Sequence, residues 1–71
     1  MKTRRLCKDF LRLRKGQTFD AIEAKQEMAL VWGITVDWHE MANALVEMLE
    51  SGEVNYTNTR GYDGMTRYII N

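Results

Sequence analysis

The chain has no proline and no low-complexity run, and it holds a single cysteine, Cys7. Apolar residues make up 45% of it, so wholesale disorder is excluded. One cysteine makes no internal disulfide, and a small domain without disulfides points to a reducing compartment. No stretch approaches the ~18 consecutive apolar residues of a membrane span. The N-terminus is basic, but no apolar run of ~7–15 residues follows it, so no signal peptide is expected. The expected location is cytoplasmic. The one histidine, His39, has no partner set of Cys or His residues for a metal. Ser-His-Asp spacing and a glycine-rich phosphate loop are missing too. At 71 residues the chain is one domain (1–71) with a small core. It has little room for a substrate pocket above that core. No enzyme and no cofactor are expected.

The charges cancel to a formal net of zero, and the average hides an asymmetry. Lys2, Arg4, Arg5, Lys8, Arg12, Arg14 and Lys15 are opposed in their segment only by Asp9. The remainder is acidic, with Lys25, Arg60 and Arg67 as its cations. Such halves mark either a basic contact surface or a solvated helix face that balances an acidic body.

Periodicity predicts a first helix from Thr3 to Lys15, stopped at Gly16. Leu6, Phe10 and Leu13 form its apolar stripe, with Cys7 beside them as a small core residue. Arg4, Arg5, Lys8, Arg12 and Lys15 fall on the other face. Gln17-Thr18-Phe19 reads as a short extended segment. Asp20 and Glu23 have capping-box spacing at the head of a second helix, which runs to Trp32 and stops at Gly33. Ile22, Met28, Ala29 and Trp32 are its apolar side. Ala29 stands four residues before the turn glycine, where a small side chain allows close helix approach and glycine permits positive φ.

A third helix is predicted from Asp37 to Glu50, with Asp37 and Glu40 spaced as a second box. Trp38, Met41, Ala42, Leu45, Met48 and Leu49 share its core face, with Trp38 as anchor. The methionines, Met28 included, read as gap-filling core. His39, Glu40, Asn43, Glu47 and Glu50 share the opposite face. Ser51-Gly52 ends this helix, and two strands follow, Glu53–Thr59 and Met65–Asn71, around an Asp63-Gly64 turn. A tight two-residue turn pairs Tyr62 with Met65 and Arg60 with Arg67. A looser wing from Arg60 to Gly64 shifts that register.

This order, with the Ala29/Gly33 turn, resembles a winged helix-turn-helix across essentially the whole chain. The resemblance implies an α+β fold of three helices and a C-terminal β-hairpin wing. It also implies a one- or two-bridge strand near Thr18. Small regulators of this fold, phage-encoded ones among them, have this length and layout. The function implied is a DNA-binding transcriptional regulator or accessory factor whose partner is double-stranded DNA.

Arg60, Arg67 and Tyr62 are the candidate wing contacts. Two like charges opposed on a hairpin are relieved by an anion. Asn43 is the candidate adenine reader and His39 a candidate phosphate contact on the third helix. Arg4 and Arg5 are the candidates of the basic N-terminal region. The acids Glu40, Glu47 and Glu50 speak against groove entry. They favour an alternative: a protein-interaction module that meets a basic protein, or the basic first helix of a second copy in a homodimer.

Overall fold

The computed structural model describes residues 3–57 and 66–71. The elements in chain order are α1 (Thr3–Arg12), β1 (Thr18–Phe19), α2 (Ala21–Trp32), α3 (Trp38–Glu50), β2 (Val54–Tyr56) and β3 (Tyr68–Ile70). The strands form an antiparallel sheet in the order β1-β3-β2. The fold is thus a small α+β domain. No helix of the described residues is long and apolar enough to cross a membrane.

Local chemistry sets the helix ends. Asp20 caps α2 reciprocally. Its carboxylate accepts from the Glu23 N–H at 2.8 Å, and its own N–H donates to Glu23 Oε1 at 3.2 Å. Gly33 closes α2 in the left-handed region, φ 68°, donating its N–H to the Ala29 carbonyl. The longer turn that follows sends Val36 into the core. Asp37 caps α3 by accepting from the His39 N–H. The expected second capping box is not formed, because the Glu40 carboxylate turns to Arg4 instead.

The predicted phase of α1 is corrected. Cys7, Phe10 and Leu11 are its buried residues, while Leu6 is 37% and Leu13 71% exposed. On a wheel of ~100° per residue the buried stripe is rotated by roughly 90° from Leu6-Phe10-Leu13. The helix also ends at Arg12 rather than Lys15, and the chain tightens into turn bonds from Leu13 and Arg14 back to Phe10 and Leu11. Leu13 therefore leaves the helix before it can reach the core. The Gly16 N–H and the Gln17 carbonyl tie this turn to Ile70 of β3.

The core joins Phe10 and Leu11 to Ala24 and Met28 of α2, Met41, Ala44, Leu45 and Met48 of α3, and Val54 and Ile70 of the sheet. Three methionines do fill it, and Cys7 lies inside it as a small hydrophobe. In α2 the buried residues are Ala21, Ala24 and Met28, and the expected Ile22 is 41% exposed. In α3 the buried face is centred on Met41, Ala44, Leu45 and Met48. Ala42 and Leu49 sit at its edge. Trp38, expected to anchor the core, is 38% exposed and stacks edge-on against His39. The reason is that α1 packs along α3 on the Ala44 side, which rolls the Trp38 side outward. Trp38→Ala should therefore cost well under the ~3–5 kcal/mol of a buried aromatic. A loss of that size on thermal denaturation would put Trp38 back in the core.

The short strand expected near Thr18 is present, with Thr18 opposite Ile69 and Phe19 opposite Tyr68. Between β2 and β3, Val54 faces Ile70 and Tyr56 faces Tyr68. The tight-turn register would have set Tyr56 against Asn71. The strands follow the shifted register of the looser wing. The Arg67 carbonyl accordingly accepts from the Thr57 N–H, which is not the tight-turn register. Arg60, Tyr62 and the Asp63-Gly64 turn lie outside the described residues.

Candidate nucleic-acid interface

The outer surface of α3 is the candidate site, and its charge is set by α1. Arg4 lies between two acids of α3, with Nη1 at 2.6 Å from Glu47 Oε2 and Nε at 3.3 Å from Glu40 Oε1. Lys8, one turn on, holds the other oxygen of Glu47 at 2.5 Å. Arg12 closes the row with Nε at 2.7 Å from Glu53 Oε1, just past the end of α3. The Ser51 hydroxyl donates to the second oxygen of Glu53 at 2.8 Å. The basic face of α1 and two of the three acids of α3 thus neutralise each other within one chain. A second copy is not needed to pair them.

This row forms because both helices place their charges one turn apart on the edges of a shared apolar seam. Cys7 and Leu11 lie beneath it on α1, and Ala44 and Met48 on α3. The side chains of Arg4, Glu40 and Glu47 remain about a third exposed (36%, 33% and 37%), so salt screens the pairs. Lys8 and Arg4 hold the Glu47 carboxyl below the usual carboxylate range. Arg12, then Ser51, hold that of Glu53 down to about 2. A depressed carboxylate stabilises the fold above its unfolded value of 4.5 and loses that contribution as pH falls towards 2. The thermal midpoint should therefore drop between about pH 4.5 and 2, and Glu53→Gln should flatten the drop. A profile unchanged by Glu53→Gln would remove this carboxylate from the acid transition.

With Glu40 and Glu47 turned toward α1, the stripe that faces away from the core is His39, Asn43, Val46 and Glu50, at i, i+4, i+7 and i+11. All four are exposed. Asn43 and Glu50 have no side-chain partner among the described residues. His39 Nδ1 lies 3.4 Å from Asp37 Oδ1. Val46, 43% exposed, was missed in the sequence because it is apolar and short of polar chemistry. Its position three residues after Asn43, off the Met41-Leu45-Met48 face, was the available signal.

Alongside this stripe an apolar groove of about 170 Å³ runs between α3 and β3. Trp38, Ala42 and Val46 line one side, and Ala21, Thr66 and Tyr68 the other. Tyr56 extends that wall by stacking on Tyr68 at 5.5 Å while staying 63% exposed.

The remaining sequence candidates are placed as follows. Arg67 is committed to the fold. Its Nη1 is 2.6 Å from Glu23 Oε1, and its Nε donates to Thr18 Oγ1 at 3.3 Å. It thereby ties the approach of β3 to the cap of α2. Arg5 and Lys15 are exposed and carry no ion pair among the described residues. Arg14 lays its guanidinium over the Phe10 ring at 4.8 Å.

Comparison with protein-family models, curated proteins and solved structures found no match to this chain.

Proposed function

We propose that the chain is a winged helix-turn-helix module that binds double-stranded DNA, as a transcriptional regulator or accessory factor, with the outward stripe of α3 toward the major groove. The observation that carries this reading is the turning of Glu40 and Glu47 onto the α1 flank, where Arg4 and Lys8 neutralise them. The acidity that argued against groove entry is then reduced to Glu50. What faces outward is an amide, an imidazole and a branched methyl pair, a surface compatible with base edges.

The order of helices, the left-handed Gly33 turn and the sheet β1-β3-β2 are compatible with this fold and its wing. The basic N-terminal region contributes less than its composition promises, since Arg4, Lys8 and Arg12 are occupied. Arg5, Lys15 and the wing residues Arg60 and Tyr62 are the contacts this reading assigns to phosphate and groove wall. No catalytic role is assigned.

With Arg4, Lys8, Arg12 and Arg67 held in ion pairs, electrostatic binding is weak. Affinity for arbitrary duplex at physiological salt should be no tighter than ~10⁻⁴–10⁻⁶ M. A duplex titration at two salt concentrations tests this. Arg5→Ala and Arg60→Ala should each lower the salt slope by about 1. Glu50→Gln should tighten binding, while Glu40→Gln with Glu47→Gln should loosen α1 and lower the melting point. A folded chain with no duplex binding at low salt would overturn the reading.

A second reading, a protein-interaction module without DNA contact, is favoured by the groove of Trp38, Ala42, Val46 and Tyr68. Of the acids expected to serve it, Glu50 alone is unpaired among the described residues. A partner on this face would be held mainly by apolar contact.

A further inference from the structure

We infer that α3 selects an adenine next to a thymine, with Asn43 reading the adenine edge and Val46 packing on the thymine methyl. This rests on the proposed binding of duplex DNA and assigns its sequence preference. The stretch Trp38–Glu50 contains no lysine or arginine, so α3 lacks the side chains that most often take the two acceptors of guanine. The one amide on its outward stripe, Asn43, is exposed and has no hydrogen-bond partner among the described residues. A carboxamide donates to adenine N7 and accepts from its amino group at once, a pairing that other bases do not offer in the major groove.

Val46 lies three residues on, a rise of about 4.5 Å along the helix. That is close to the ~3.4 Å between successive bases. The two side chains therefore address neighbouring base pairs when α3 lies along the groove. Val46 presents its methyl groups at 43% exposure, and Ala42 one turn before it is half-buried on the same side. Apolar surface so placed is best covered by the thymine 5-methyl group. His39 sits one turn before Asn43, with its ring edge-on to Trp38 and Nδ1 3.4 Å from Asp37 Oδ1, and it is not assigned to this step. Glu50 stands two turns beyond Asn43, about 10.5 Å further along the helix, and so lies away from that step.

The test is enrichment of bound sequences from a random duplex pool by the full chain, followed by base analogues in the enriched site. Adenine beside thymine should be enriched. Replacing that thymine by uracil removes only the methyl group and should weaken wild-type binding roughly threefold or more. Val46→Ala should lose that sensitivity. Asn43→Ala should lose about tenfold at the enriched site and little on other duplexes. Both residues are exposed, so a circular dichroism spectrum should show each variant folded. Measurable duplex binding with no enriched step, with guanine in the step, or with equal affinity for thymine and uracil overturns this inference and leaves the DNA-binding proposal standing. Retained methyl sensitivity in Val46→Ala also overturns it. No binding by the folded chain at low salt removes both.

Discussion

Phe10→Ala should bring the chain close to global unfolding, and Leu13→Ala should leave its stability almost unchanged. Phe10 is fully buried, meets the Trp32 ring edge-on at 5.3 Å, and lies under the Arg14 guanidinium. Truncating such a side chain costs ~3–5 kcal/mol through lost transfer energy and the cavity left behind. A domain this short has only a few kcal/mol of net stability in total. Leu13 is 71% exposed in the turn after α1, so its loss removes little buried area. Urea denaturation of both variants checks the pair of expectations. Should Leu13→Ala be the more costly, α1 would have the phase suggested by its hydrophobic spacing, and the row of ion pairs to α3 would be misplaced.

The next largest effect is expected at Gly33. A side chain built there meets nothing within 4 Å, so crowding is not the issue. The cost lies in the backbone, whose φ of 68° is left-handed. An L-residue pays ~1–2 kcal/mol in that region, and a β-branched one more. Gly33→Val should therefore destabilise by about 2 kcal/mol, and Gly33→Asn by clearly less, since asparagine tolerates this conformation. Equal losses for the two variants, or none for valine, would mean that the turn between α2 and α3 does not need positive φ.

The two expectations differ in how far the sequence supports them. Gly33 was legible because the demand is local: a helix ends, and the residue after its last turn must reverse the chain. Asp20 and Glu23 were legible for the same reason, as a cap and its reciprocal acceptor lie three residues apart. The short strand at Thr18 was implied by the resemblance to a winged helix-turn-helix. Hydrophobic period located the helices, yet it left their rotation open. Leu6 and Leu13 looked as apolar as Leu11, and Trp38 looked like a better core residue than Ala44. Hydrophobicity orders side chains by what burial gains, and it carries no information about which neighbour covers them.

The candidate site was legible in its parts and not in its sign. Asn43 and His39 were placed on an outward face, and they are there. Glu40 and Glu47 were grouped with Glu50 because all share one half of the helix wheel. A ~100° step per residue separates the acids facing α1 from the one facing solvent only when the position of α1 is known. The wing arginines illustrate the same limit. The tightest turn the sequence allows pairs Arg67 with Arg60, and a looser wing shifts that register. The register that forms gives Arg67 to Glu23 and Thr18.

By itself the sequence determined the order of the elements, the cap and stop of α2, and the left-handed glycine between α2 and α3. Each depends on residues within a few positions of one another, where backbone geometry is nearly fixed. Tertiary structure decided the roll of α1 and α3, the strand register, and which charges survive to meet a partner. Those depend on contacts such as Arg4 with Glu40 and Glu47, 36 and 43 residues apart in the chain. Such long-range pairs form only after the apolar seam beneath them has chosen how the helices pack.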